Sequence, residues 1–187
     1  MRRSVCERFL GITFLRRFVR RFARQQDGAA AVEFALVSIP FITLLFAIME
    51  TGMVFFADQV LETAVGDSAR NILTGQAQTQ SFDQTAFKNS ICAKLTVLFD
   101  CQGGVYVDVK KFTNFSSVTM ASPLDSNGNF VNNFTYNAGG PGDIVVVRVF
   151  YQWPLYLSFF GFSLQNMSGG KRLLVVTSAF RNEPYAN

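Results

Sequence analysis

The sequence predicts an α+β protein in which one long N-terminal helix crosses a membrane and a small exported domain with an antiparallel β-sheet follows it. Three observations carry this. Asp27 to Val60, DGAAAVEFALVSIPFITLLFAIMETGMVFFADQV, is a single long apolar run. Charge divides around its start: eight arginines (Arg2, Arg3, Arg8, Arg16, Arg17, Arg20, Arg21, Arg24) against Glu7 and Asp27 precede Gly28, whereas nine Lys or Arg meet eleven Asp or Glu after it. The formal charge of +4 therefore belongs to the leader. Beyond the run, VYVDVKKF alternates as a half-buried strand does, and DIVVVRVFYQWPL is dense enough in apolar residues to lie inside a sheet. At 187 residues the chain holds one membrane helix and one small domain. The expected boundaries are a leader at 1–28, a helix at 29–73 with its span at about 34–57, and an exported domain at 74–187.

The centre of the apolar run, Phe34 to Ala57, would rise about 36 Å as a helix, enough to cross a hydrocarbon core of ~30 Å. A buried helix of a soluble protein is the alternative, and it would require the rest of a short chain to enclose the run on every side. The basic flank sets the orientation, with the N-terminus cytoplasmic and the C-terminal domain periplasmic across an inner membrane. A cleaved secretory signal is the main rival. Against it stand the length of the basic region, Pro40 in mid-run, and the lack of an obvious A-x-A site. Within the leader, Phe14, Leu15, Phe18, Val19 and Phe22 share one helical face and Arg16, Arg17, Arg20, Arg21 and Arg24 the other. That is the pattern of an amphipathic helix lying on anionic lipid; a disordered leader that only sets topology is the alternative.

From Ala29 to Leu73 a single helix would rise about 68 Å, so its second half must leave the bilayer. There Val60, Leu61, Ala64, Val65, Ser68 and Ala69 form an apolar stripe, with Asp58, Glu62, Asp67 and Arg70 on wetter faces. Pro40 removes a helical donor and is expected to kink or locally melt the helix, with Ser38 and Thr43 near enough to satisfy freed carbonyls. Glu33 and Glu50 sit in apolar surroundings where a carboxylate is costly, which makes both candidate functional residues. Glu50 either pairs with another subunit or reaches the outer interface.

In the exported part, TGQAQTQSFDQ reads as a surface loop and TAFKNSICAKLTVLF as a short helix, capped near Asp83 or Ser81 and running to about Leu98. Its inward residues would be Phe87, Ile91, Leu95 and Leu98. Cys92 and Cys101 form a plausible disulfide in an oxidising compartment, worth roughly 2 to 4 kcal/mol; two inert thiols are the alternative. Val105, Val107 and Val109 share one strand face, and Tyr106, Asp108 and Lys110 the other. The Asn, Ser and Gly-rich middle suggests short strands near Ser116 to Met120 and Asn129 to Tyr136, with SNGN turning a hairpin. Arg148 is expected to be paired or at the sheet rim. The aromatics Trp153, Tyr156, Phe159, Phe160 and Phe162 suit the core, the lipid head-group level or a partner subunit. KRLLVVTSAFR is expected to be an internal strand.

The order of a basic flank, small residues Gly28 to Ala31, Glu33 and then an apolar helix resembles the signal of type IV pilins and pseudopilins. In these a membrane peptidase cuts after a Gly and leaves Glu as the fifth mature residue. The resemblance implies cleavage between Gly28 and Ala29, with Glu33 fifth. More closely, G-A-A-A-V-E-F-A-L-V-x-I-P, followed by Glu50 and Gly52 in METG, is similar to the TadE-like family of minor pseudopilins of the tight-adherence (Flp pilus) system. DIVVVRVFYQWP and the terminal RNEPY extend the resemblance to the far end. It implies a type IV pilin-like fold and a minor pilin that packs its helix with other subunits during pilus assembly. Glu33, Phe34, Pro40, Glu50, Arg181, Glu183 and Tyr185 carry over as assembly residues, the last three alternatively as domain-closing contacts. The implied partners are a prepilin peptidase, the major Flp pilin, other minor pseudopilins and inner-membrane platform proteins, alongside membrane lipids.

The sequence has no histidine, and it contains no P-loop, GxSxG or HExxH and no carboxylate pair at catalytic spacing. With two exported cysteines and no histidine, a zinc site is not expected. No cofactor, metal or catalytic residue is assigned, and the basic residues lie in the leader rather than on the body, which argues against nucleic acid. The chain reads as a building block and as a peptidase's substrate. The alternatives are a membrane-anchored scaffold that never enters the fibre, and an exported binding or adhesin module using Trp153 to Phe162 or the Asn-rich middle.

Overall fold

The computed structural model describes residues 26–95, 98–156 and 163–185. The leader, for which an amphipathic helix is one expectation, and the aromatics Phe159, Phe160 and Phe162 lie outside these residues. The architecture is α+β, as expected: a long apolar helix precedes a small antiparallel three-stranded sheet. Helix α1 runs Gln26–Leu73, and the chain divides within it into two compact units, one up to Ala47 and one from Ile48 to Asn187.

In the first unit α1 presents large apolar side chains outward all along its length, among them Phe34, Leu36, Val37, Ile39, Phe41 and Leu44. The helix runs unbroken through Pro40, contrary to the expected local melting. Nor do the two hydroxyls take up the carbonyl that Pro40 orphans, which is that of Leu36. Ser38 donates to Ala35 O and Thr43 to Ile39 O, each bonding three or four residues back as helical Ser and Thr commonly do.

In the second unit α1 gains a buried stripe. Val54, Ala57, Leu61, Ala64, Val65, Ser68, Ala69 and Ile72 turn into the core, while Glu62, Asp67 and Arg70 are exposed. The helix stops where Gly75 takes φ +79°, a left-handed conformation that glycine adopts without steric cost; its N–H donates to Ile72 O. The following segment is not only a surface loop. Helix α2, Gln76–Thr79, buries Ala77.

Helix α3, Gln84–Cys92, is capped by Asp83, whose Oδ1 accepts from Ala86 N at 2.7 Å. It buries Phe87 and Ile91 but ends at Cys92, short of the expected Leu98, which is 44% exposed. The disulfide between Cys92 and Cys101 joins its end to the short helix α4, Cys101–Gly104. A chain tied back across nine residues must turn here, so the helix has no room to continue.

Strands β1 (Val105–Phe112), β2 (Ile144–Pro154) and β3 (Lys171–Arg181) pair antiparallel in the order β1-β2-β3. One sheet face, with Val105, Val107, Val109, Val145, Val147, Val149, Leu174 and Val176, joins the core that α1 and α3 help to build. The opposite face is covered too. Phe134 stacks on Phe150 with centroids 4.7 Å apart, and Phe130 packs on Tyr106 at 4.8 Å. Asp108 is consequently buried instead of solvent-facing, and its Oδ2 meets Arg148 at 2.7 Å. Arg148 therefore pairs at the centre of the sheet, not at its rim.

The segment that makes this cover contains no strands. It forms a 3-10 turn at Phe115–Ser117 and isolated bridges Val109↔Tyr136 and Leu124↔Phe130. SNGN does turn the chain: the Asp125 carboxylate accepts from Asn127 N and Asn129 N, which satisfies the backbone locally and leaves no ladder to extend. β3 also departs from expectation, lying at the sheet edge while β2 is internal. Its apolar content reflects contact on both sheet faces at Leu173 and Leu174, but Val175 is exposed.

Candidate functional site

The small residues come first. The Gly28–Ala29 bond lies near the N-terminal end of the described part of α1. Among the described residues nothing stands within 4 Å of where a Gly28 Cβ would be, and Ala29, Ala30 and Ala31 are exposed. Glu33 and Pro40, seven residues apart, share one helical face. Glu33 is exposed among apolar neighbours, and among the described residues no hydrogen bond or ion pair holds it. Phe34 beside it is 74% exposed.

Glu50 is placed differently. Its Oε1 accepts from Tyr156 N at 2.6 Å, tying α1 to the chain that leaves β2. Of the aromatic cluster, Trp153 is buried against Phe99 at 5.8 Å, and Tyr156 is 84% exposed.

The closing RNEPY gathers on the end of α1 and on the 138–143 turn. Arg181 Nε donates to Gly142 O at 2.9 Å, and Glu183 N donates to Leu73 O at 2.9 Å, taking up a carbonyl at the helix end. Asn182 is 2% exposed and donates through Nδ2 to Ala138 O and Gly140 O. The Tyr185 ring lies over Gly75 so closely that a Cβ there would run into it. Burial pushes the Tyr185 hydroxyl up in pKa, against contacts to Asn182 and Gln78 that lower it. Gln78 Nε2 donates to Ile72 O, Ala138 O and Gly139 O, joining the helix end to the turn. In that turn, the Gly140 N–H holds the Asp143 carboxyl below the usual range, opposed by its slight burial and aided by Lys111. Glu183 and Tyr185 thus close on the end of α1 and Arg181 on the 138–143 turn, whereas Gly28, Glu33, Phe34 and Pro40 lie apart from them on the first part of α1.

Sequence reasoning passed over Gly75, Gln78 and Asp143, which complete this clasp. A glycine two residues past a helix end is a readable cap signal for Gly75. Gln78 and Asp143 carry no comparable signal, because their partners are backbone carbonyls and N–H groups brought close only by folding.

Residues 28–70 match the family model described as TadE-like protein, the family that the sequence resembled. The match covers most of α1 and stops before the RNEPY clasp. Among the described residues one helix, Gly28–Leu73, is long and apolar enough to cross a membrane. No curated protein and no solved structure matches the chain.

Proposed function

From the TadE-like sequence of α1, we propose that this chain is a minor pilin of a tight-adherence (Flp) pilus, held in the inner membrane until assembly. The leader stays cytoplasmic and the sheet domain lies in the periplasm. A prepilin peptidase hydrolyses the Gly28–Ala29 bond: water adds to the Gly28 carbonyl, and the Ala29 α-amine leaves and takes up a proton. Cutting needs access to the bond, and the small side chains from Gly28 to Ala31 leave room for a peptidase to reach it.

The observation that carries the reading is Glu33, an exposed carboxylate within the TadE-like match, on an apolar helix and without a partner among the described residues. Such a group in a low-dielectric setting demands a counter-charge. The α-amine at the cut N-terminus of a neighbouring subunit, the major pilin or another minor pseudopilin, supplies one, and the α-amine released at Ala29, with an ordinary pKa of about 7.7–8.0, serves a neighbour's carboxylate in turn. The exposed apolar surface of Phe34, Leu36, Val37 and Phe41 then exchanges lipid for neighbouring helices, and Pro40 spaces the packing.

Two substitutions separate the steps. Gly28→Leu is expected to leave full-length precursor, whereas Glu33→Ala is expected to be cut, giving Ala29 on N-terminal sequencing, yet to be depleted from sheared filaments. Normal filaments with both variants would refute the proposal. Retention of the mature wild-type chain with inner-membrane platform proteins, and its absence from filaments, would make it a scaffold instead.

A further inference from the structure

The two outer strands of the sheet end differently. On β1 the outer edge is occupied: Val109 N donates to Thr135 O, Asn137 N donates to Val109 O, and Gln84 Nε2 donates to Val107 O. On β3, Asn166 covers only the beginning. Its side chain accepts from Leu173 N and donates to Leu173 O, and its own N–H donates to Lys171 O. Lys171 and Leu173 therefore turn their backbone groups away from β2. By the alternation of an antiparallel ladder, Val175, Thr177 and Ala179 turn theirs the same way. Among the described residues nothing bonds to those outward groups.

The side chains of the same three residues are exposed, Val175 by 44%, and none carries the charge, proline or bulge that usually protects a free edge. Cations flank the edge, with Lys171 and Arg172 before it and Arg181 after it. Their hydrogen bonds go to Gln152, Leu164 O and Gly142 O, and among the described residues no carboxylate pairs with them. β3 itself has no acidic residue. Beside its first half lies a groove of about 320 Å³ whose lining mixes the apolar Val54, Phe55, Leu164 and Leu174 with the polar Asp58, Asn166 and Arg172. Its apolar side chains suit a Val or Leu of an incoming segment, and Arg172 in the same wall suits a carboxylate near that segment's end.

We propose that the Val175 to Ala179 edge of β3 takes up an extended segment of another polypeptide as an added strand, with apolar residues at its centre and carboxylates at its ends. Three outward residues offer about six backbone bonds to such a strand. The basic ends fix its position, and the groove selects one apolar side chain. This surface needs neither cleavage at Gly28 nor a filament.

The test uses the full chain in detergent micelles and a capped, fluorescent peptide Glu-Thr-Val-Thr-Val-Thr-Glu, with a control peptide carrying Lys at both ends. The acidic-ended peptide is expected to bind at least about tenfold more tightly than the control and to weaken as salt rises. Thr177→Pro removes only an outward N–H, which edge strands tolerate, so it is expected to abolish binding with the near-ultraviolet circular dichroism and the Cys92–Cys101 bond unchanged. Should that variant misfold, Lys171→Glu supplies the second measure by narrowing or reversing the preference between peptides. No binding to the wild type, equal binding of both peptides, or a preference unmoved by Lys171→Glu would overturn the proposal. So would dimerisation of the chain alone that Thr177→Pro abolishes, which would assign the edge to a second copy.

Discussion

Asp108 and Arg148 show how one buried pair can organise a small sheet. Asp108 accepts from Thr135 N at 3.1 Å through Oδ1 and from Arg148 at 2.7 Å through Oδ2, and Arg148 donates to Ala121 O at 2.8 Å. Two strands and the segment that crosses them are thereby joined at one point. Arg148→Met leaves Asp108 only its longer contact to Lys110 at 3.4 Å, and Asp108→Leu leaves Arg148 without a carboxylate among the described residues, so each is expected to cost about 3–5 kcal/mol, and the double replacement to recover much of it. Thermal unfolding of the three detergent-solubilised variants checks this; single losses below about 1 kcal/mol would mean that water reaches the site. Tyr136 offers a second residue-scale prediction. Burial, with Asp83 adding, pushes its phenol up to about 12, and among the described residues its hydroxyl has no partner. The neutral form is the one the fold favours, so the unfolded chain loses this proton first, near pH 10. The stabilisation is complete below about pH 10 and is lost as pH rises toward 12. Tyr136→Phe is expected to match the wild type near pH 7 and to exceed it in melting temperature at pH 11, with equal alkaline loss in both proteins counting against the assignment.

Among the elements, the end of α1 depends most on distant residues. Gly75 supplies the left-handed turn, the Tyr185 ring closes over it, and Glu183 N caps Leu73. Gly75→Ala adds about 1–2 kcal/mol of backbone strain and also displaces the ring, so it is expected to exceed that cost. Because both residues serve one contact, Gly75→Ala/Tyr185→Ala should cost clearly less than the sum of the singles in denaturant titrations; simple additivity would show that the ring and the turn act independently. Legibility also divides by element. α1 from its apolar run to Leu73, the α3 cap at Asp83, the Cys92–Cys101 bond, and strands β1 and β2 could be read because local chemistry decides them. The edge position of β3 could not, since Leu173 to Val176 is as apolar as a central strand and only pairing order reveals which side lies open. The cover formed by Phe130 and Phe134 was equally hidden: single aromatics in an Asn-rich segment have no period, and their partner Phe150 lies far along the chain. Of the candidate site, Gly28, Glu33 and Pro40 were readable as a motif along one helix. The clasp through Gln78 and Asp143 was not, because folding alone brings its backbone partners near.

At the scale of the whole molecule, α1 serves two environments, and the change falls near Val54. Before it, the large apolar side chains from Phe34 to Met53 are exposed; from Val54 onward one face belongs to the core of the sheet domain. The compact second unit begins at Ile48, not at the end of the helix. Leu61, Val65 and Ile72 are wholly buried against the sheet domain, and deleting such side chains costs about 2–5 kcal/mol each, comparable in sum with the entire stability of a small domain. The sheet domain is therefore expected not to fold without the second half of α1. A periplasmically targeted fragment of residues 51–187 is expected to accumulate with the Cys92–Cys101 pair protected from alkylation and with a cooperative melt, whereas residues 74–187 are expected to be degraded or to carry free thiols. The exposed Phe55 and Phe56 make mild detergent advisable for the longer fragment. Folding of 74–187 by itself would show that the α1 stripe decorates the domain and does not build it. Failure of both fragments, with full-length protein folded, would place the boundary earlier than Thr51 and would make the tie between Glu50 and Tyr156 part of the foundation of the domain.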